Sequence, residues 1–150
     1  MQMTGFVVDA MLGTLAKWLR VLGFDAVFAK GMQDKEIVAL AKAEDRIIIT
    51  RDRDLAQSLA GSIYLKEKTL DEQLVIVLKA HPADRSRVLT RCLECNSVLA
   101  QVEKAQVKGV PAGILEREEA FWQCPGCRKV YWPATHYKNM MKKAERFLSE

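Results

Sequence analysis

Four aspartates and four cysteines are the residues of this 150-residue chain whose type and placement best suit chemistry. Asp9 ends the apolar run Phe6-Val7-Val8, and Asp52 and Asp54 follow Ile47-Ile48-Ile49-Thr50 in the run Thr-Arg-Asp-Arg-Asp. In an open parallel α/β sheet, ligands collect beyond the carboxyl ends of strands, so acids placed there border the binding crevice. With Asp34 at the start of a second helix, four carboxylates are expected to converge at one sheet edge. Packed carboxylates repel and raise one another's pKa unless a hard cation neutralises them, which makes Mg²⁺ or Mn²⁺ the expected occupant. Such an ion polarises a phosphodiester, activates water and stabilises the leaving oxygen of an in-line displacement. Each acid also has a plainer reading: Asp9 and Asp34 as helix caps, Asp52 and Asp54 as a surface turn with Arg51 and Arg53. Glu36 competes with Asp34 for any acidic role.

Cys92-Leu-Glu-Cys95 and Cys124-Pro-Gly-Cys127 form the most specific local signal. Two Cys-x-x-Cys knuckles can close a tetrahedral Cys₄ site on one Zn²⁺ at roughly 2.3 Å per bond. The stretch between the pairs exceeds the roughly 15 to 20 residues of the common pattern, and an inserted hairpin accommodates the excess. A redox dithiol at Cys124 and Cys127 fits less well, because it lies far from the βα pattern of thioredoxin-like motifs. A small β module without a large core needs the metal to fold, so its role is expected to be structural. Iron in place of zinc stays open from spacing alone.

The chain carries 23 Lys and Arg against 19 Asp and Glu, a formal net charge of +4. Most of the excess lies after residue 90. Arg128, Lys129, Lys138, Lys142, Lys143 and Arg146 crowd one segment with only Glu145 against them, beside Tyr131, Trp132, His136 and Tyr137. Phosphate-pairing charge next to rings that stack on bases suits a nucleic acid, and a solvated helix face suits the same residues. Lys17 and Arg20, one turn apart on the first predicted helix, are expected to approach substrate phosphates, as is Arg51, unless they are simply a wet face. Of the two histidines, His81 and His136, neither pairs with an obvious nucleophile. Serine-hydrolase, P-loop and dinucleotide-binding glycine motifs are absent from the sequence.

These residues must be positioned by the elements around them. The first half alternates β-rich runs with helical periodicity, the pattern of a parallel sheet covered by helices. Phe6–Val8 is a buried strand; Leu12, Leu15, Ala16, Leu19 and Leu22 keep helical spacing until Gly23 ends the helix in a left-handed cap. Asp25–Phe28 is a second strand, and Asp34 is expected to cap a helix carrying Ile37, Val38, Leu40 and Ala41. Arg46–Thr50 is the strongest strand. A short helix over 54–60, a strand over 62–65 and a helix over 70–80 complete the pattern before His81-Pro82 breaks it. Beyond Cys92 come short β pieces and turns, with a flexible excursion at 108–113 and a helix over 135–148. The expected units are residues 1–88 and 89–150.

The segment Asp9-Ala-Met-Leu-Gly-Thr-Leu-Ala-Lys-Trp-Leu-Arg-Val-Leu-Gly-Phe-Asp25, then Ile-Ile-Ile-Thr-Arg-Asp-Arg-Asp-Leu55, then two Cys-x-x-Cys knuckles, resembles the PIN-like ribonuclease domain first described at the C-terminus of the mut-seven exonuclease. The resemblance spans essentially the whole chain. It implies a PIN-like three-layer α/β/α fold with a parallel sheet, followed by a zinc ribbon and a C-terminal helix. It also implies a metal-dependent nuclease centre, with Asp9 and Asp52 matching the family's acids at strand ends and Asp54 and Asp34 matching less closely, since PIN-type enzymes often have Glu near the last.

The leading expectation is therefore an endoribonuclease using Mg²⁺ or Mn²⁺ at Asp9, Asp52 and Asp54 with Asp34, structural zinc at the cysteines, and RNA held by Lys17, Arg20, Arg51, Lys138, Lys142 and Lys143. A non-catalytic RNA-binding or ribosome-associated adaptor, working through the ribbon and the basic helix, is the alternative. A phosphatase with Asp9 as nucleophile would want a second Asp two residues on, where Met11 stands. No apolar run approaches the roughly 18 residues of a membrane span, and the N-terminus lacks a basic leader, so the expected location is cytoplasmic. Analogy with PIN-like domains, which often act as dimers, adds a homodimer.

Overall fold

The computed structural model describes residues 4–148. Phe6, Val7 and Val8 are fully buried because their strand, β1 (Gly5–Val8), runs through the middle of a parallel sheet and has apolar layers on both faces. Its neighbours are β2 (Asp25–Phe28) and β3 (Arg46–Thr50), with β4 (Ile63–Tyr64) beyond β3, giving the order β2-β1-β3-β4. The register pairs Val7 with Val27 on one side and with Ile48 on the other.

Side chains alternate between the two faces with the period of two that strands impose. Phe6, Val8, Ala26 and Ile49 join a cluster with Leu15, Leu19, Leu74 and Val77 from α1 (Gly13–Val21) and α4 (Leu70–Ala80). Val7 and Ile48 face the other way, onto Ile37 and Ala41 of α2 (Asp34–Glu44) and Leu55 of α3 (Arg53–Gln57). The result is the expected α/β/α sandwich. Each of the fully buried Val, Leu, Ile and Phe side chains among them contributes roughly 1.5–3 kcal/mol.

A 3-10 turn over Ala10–Leu12 precedes α1. Gly23 ends α1 as expected, with φ at +93°, and a Cβ there would lie 2.5 Å from the Arg87 carbonyl oxygen. Asp34 is not the cap of α2: Gln33 occupies that position in a capping box with Glu36, and Asp34 falls in the first turn. Helix α3 begins one residue earlier than the spacing implies, because the Asp52 side chain accepts from the N–H groups of Asp54 and Leu55.

After α4 the chain turns through 85–87 into an antiparallel ribbon of β5 (Ala100–Val102), β6 (Phe121–Gln123) and β7 (Val130–Tyr131), in the order β5-β6-β7. The excursion expected at 108–113 is only partly irregular, since Pro111 leads into α5 (Ala112–Arg117). Helix α6 (Thr135–Leu148) has an amphipathic pattern, and its Met140 and Ala144 enter the α1/α4 side of the main core. Arg146 pairs with Asp71 at 2.8 Å, and Arg85 pairs with Glu145.

Packing crosses position 88 at several points. Asn96, in the left-handed region just after the first knuckle, donates to the Asp25 carboxylate at 2.7 Å and accepts from the Ala26 N–H at 3.0 Å. Leu89 N–H donates to the Val21 carbonyl at 2.8 Å. Among the described residues no helix is long and apolar enough to cross a membrane.

Candidate active site and metal centre

All four strands of the sheet run in parallel, so their carboxyl ends share one edge. In the order β2-β1-β3-β4 the chain leaves β1 toward β2 and then returns to the far side at β3. The reversal point lies between β1 and β3, where open α/β sheets place ligands. Asp9 follows β1 directly, and its N–H donates to the Ile49 carbonyl at 2.9 Å, which fixes it against β3. Asp9 Oδ1 accepts from the Ala10 N–H at 2.7 Å, as a cap would, and Oδ2 accepts from the Thr50 hydroxyl at 2.7 Å. Thr50 is fully buried and its Oγ1 in turn accepts from the Asp52 N–H at 2.9 Å.

The two acids at adjacent strand ends are thus tied through one hydroxyl. Thr50 is not among the acids and cysteines that the sequence singles out. Its signal was a hydroxyl at the last position of a buried β-branched strand, directly ahead of Arg-Asp. Asp9 is half-buried and Asp52 exposed. Only Oδ1 of Asp52 is engaged, as cap of α3. Asp54 and Asp34 are exposed in the first turns of α3 and α2. The expected close convergence of all four carboxylates is not seen: among the described residues the only set of three or more potential metal ligands with atoms within 4.8 Å of one another is the cysteine set.

Cys92, Cys95, Cys124 and Cys127 come together from the two knuckles. The Cys95 and Cys124 sulfurs are 3.0 Å apart, and those of Cys92 and Cys127 3.6 Å. Sulfurs around a tetrahedral Zn²⁺ would stand roughly 3.7 Å apart, given bonds of about 2.3 Å. Cys92 and Cys124 are buried, Cys95 and Cys127 exposed. Backbone amides support the knuckles: Asn96 N–H donates to the Cys92 carbonyl and Arg128 N–H to that of Cys124, each at 2.9 Å.

The Cys95 thiol is drawn down to about 6, first by its contact with the Cys124 sulfur and then by hydrogen bonds with Ser97. Cys127 is pushed up to about 11: the Lys129 backbone opposes the rise, but desolvation and the neighbouring sulfurs prevail. Adjacent sulfurs resist sharing negative charge, a conflict that a divalent cation removes. Tyr131 hydroxyl lies 3.2 Å from Cys92 Sγ and accepts from Leu93 N–H at 3.1 Å, so it braces the first knuckle. The four cysteines are positioned to bind a metal ion.

A family model described as the Mut7-C RNAse domain matches residues 4–144. The chain belongs to that family. No curated protein matches the sequence. The match begins just ahead of β1 and ends at Ala144 in α6, so the Mut7-C RNAse domain takes in the parallel sheet, the ribbon and most of the basic helix.

The basic residues of this Mut7-C chain divide into two groups. Arg20 is 8% exposed; it donates through Nε to the Ala26 carbonyl and through Nη1 to the Leu93 carbonyl, both at 2.9 Å. Burial lowers its pKa, against the raising influence of Cys92 and Cys95. This is a correction to the phosphate-binding expectation, because the guanidinium is occupied in holding the first knuckle to the sheet. Lys143 is also engaged, 5.0 Å from the Trp18 ring centroid and 3.6 Å from Asp71. Lys17, Lys138 and Lys142 are exposed, and Arg51 is half-buried beside Asp52.

Proposed function

We propose that the chain is a metal-dependent endoribonuclease whose centre is built on Asp9 and Asp52. The observation that carries this reading is the Thr50 bridge between those acids at the β1/β3 reversal point, in a chain of the Mut7-C RNAse family. The donors offered by Asp9 and Asp52 are all oxygen, which suits Mg²⁺ or Mn²⁺. When bound, such an ion polarises the scissile phosphate and lowers the pKa of water.

The protein's own groups do the positioning. Ala10 N–H and the Thr50 hydroxyl fix both oxygens of Asp9, while the Asp54 and Leu55 N–H groups fix one oxygen of Asp52 and leave the other open. Arg51 adjoins the acids and offers a guanidinium to a phosphate. Lys138 and Lys142, four apart on one face of α6, pair with the RNA backbone. Zinc at Cys92, Cys95, Cys124 and Cys127 holds the ribbon together; that role is structural, since four thiolates close the coordination shell.

The deciding experiment is cleavage of labelled single-stranded and structured RNA by purified protein with Mn²⁺, Mg²⁺ or neither, beside Asp52→Asn. Metal-dependent cutting that Asp52→Asn loses is the expected result, with RNA affinity retained or raised because a carboxylate near phosphates repels them. Equal cutting by both proteins would remove Asp52 from the centre. Tight binding without cutting under any metal would favour an RNA-binding adaptor.

A further inference from the structure

A cavity of about 460 Å³ opens between the ribbon, α1 and α6, away from the β1/β3 crevice. Its volume lies in the range of roughly 300–1,000 Å³ that small-ligand pockets occupy. Trp122, Tyr131, Trp132 and Tyr137 line it, and Lys17 joins them from α1. Trp122 and Tyr131 are direct cross-strand partners on β6 and β7, which sets their rings side by side on one face of the ribbon.

Two features separate this cavity from an ordinary apolar cleft. The Trp132 indole Nε1–H is the one buried side-chain polar atom among the described residues without a hydrogen-bond partner. A buried donor left unmade is costly, and a turn of the Trp132 ring that brings it to the cavity would let a ligand acceptor relieve it. The ammonium of Lys17 is exposed and has no ion-pair partner among the described residues. By contrast Lys129, also on the wall, is already held by Glu94 at 3.4 Å and by the Tyr131 ring. A ligand answering these groups has a flat π-system with ring nitrogens or carbonyls as acceptors, and carries an anion. A nucleobase attached to its phosphate has all three.

We infer that this cavity receives a single unstacked base of the RNA, with an adjoining phosphate on Lys17. The assignment rests on the ribonuclease reading for the identity of the chain that carries the base. The base stacks on the aromatic wall, and a turn of the Trp132 ring toward the cavity lets it accept the indole N–H. Lys138, the residue after Tyr137 on α6, then continues the contact with the backbone. A site of this kind fixes the strand at a point remote from Asp9 and Asp52 and so sets which phosphodiester reaches them.

The test uses the full zinc-loaded chain carrying Asp52→Asn, so that binding is read whether or not the wild type cuts RNA. Probes are a short single-stranded RNA, the same RNA with an abasic position moved along it, and AMP and UMP. The expected result is quenching of tryptophan fluorescence by the intact RNA, a loss of roughly tenfold in affinity when one register is abasic, and competition by the mononucleotides. Trp132→Phe keeps an aromatic ring on the wall, though a smaller one, and removes the N–H; it should weaken the intact RNA and reduce the abasic discrimination. If Trp132→Phe fails to fold, Lys17→Gln at an exposed position replaces it and should weaken AMP more than adenosine. Abasic and intact RNA binding alike in every register would overturn the inference. So would mononucleotides that bind without displacing RNA, which would make the cavity a free-nucleotide site. Base-dependent binding by a chain whose wild type cuts nothing would sustain the cavity and remove the nuclease reading.

Discussion

Thr50 donates its hydroxyl proton to Asp9 Oδ2 at 2.7 Å while sitting fully buried at the last position of β3. Because the Thr50 hydroxyl oxygen also accepts the Asp52 backbone N–H, one atom ties the Asp9 carboxylate to the backbone that carries Asp52. Thr50→Val preserves shape and removes the donor and acceptor together. It should cost about 1–2 kcal/mol of stability and lower the cleavage rate by roughly tenfold, with RNA affinity unchanged. The Mn²⁺ concentration for half-maximal cleavage should rise in Thr50→Val and return in Thr50→Ser. A rate loss with no change in the metal requirement would make Thr50 merely a packing residue.

Asp25 links the sheet to the first knuckle. Burial alone would raise its carboxyl pKa, but hydrogen bonds from Arg46 and Asn96 and the charges of Arg46 and Arg91 hold it below the ordinary carboxylate range. A depressed folded-state pKa gives stability that is fully present above the unfolded value of about 3.9 and is lost as pH falls through the folded value. Asp25→Asn should therefore be less stable than wild type by roughly 1–3 kcal/mol at pH 7. The gap should close as pH drops below about 4. Urea midpoints of both proteins, compared at each pH in the same metal state, check this, and a gap that stays constant into acid would refute the linkage.

Local pattern reveals what a residue prefers, and only tertiary structure reveals what satisfies it. The strand Arg46–Thr50, the stop at Gly23, helices α4 and α6 and the pairing of the two knuckles were all legible, since β-branching, helical period, positive φ and Cys spacing are local properties. Arg20 was not. Placed one turn from Lys17, it has the pattern of a wet helix face, and nothing nearby in sequence discloses the Leu93 carbonyl that receives it. Asn96 and Thr50 escaped for the same reason, their partners Asp25 and Asp9 being remote along the chain. Helix α6 showed its charge in the sequence, but its burial of Met140 and Ala144 depends on a groove made by other elements.

The ribbon has strands of only two or three residues and no extensive core of its own, so the metal should supply much of its folding energy. Purified protein should carry one zinc per chain. Cys124→Ser, which removes a buried ligand, should bring zinc content close to zero and abolish the ordered environment of Trp122 and Trp132, read by tryptophan emission. Metal-free protein with wild-type emission and an unchanged melting temperature would contradict a structural metal.

The lysines of α6 differ in what holds them, and salt dependence should separate them. Lys138 and Lys142 are exposed, whereas Lys143 is committed to Trp18 and Asp71. Each phosphate contact on a single strand adds about 0.7 to the slope of log affinity against log salt, through released counterions. Replacing both Lys138 and Lys142 with Gln should flatten that slope by about 1.4 and weaken all RNA sequences alike. Lys143→Gln should leave the slope nearly unchanged and cost a few tenths of a kcal/mol in stability, as a partly exposed pair does. RNA titrations of the Asp52→Asn chain at several salt concentrations measure both. A slope that responds to Lys143 and not to the other two would mean that the Lys143 ammonium leaves Asp71 and Trp18 for a phosphate when RNA binds, and that Lys138 and Lys142 lie off the RNA path.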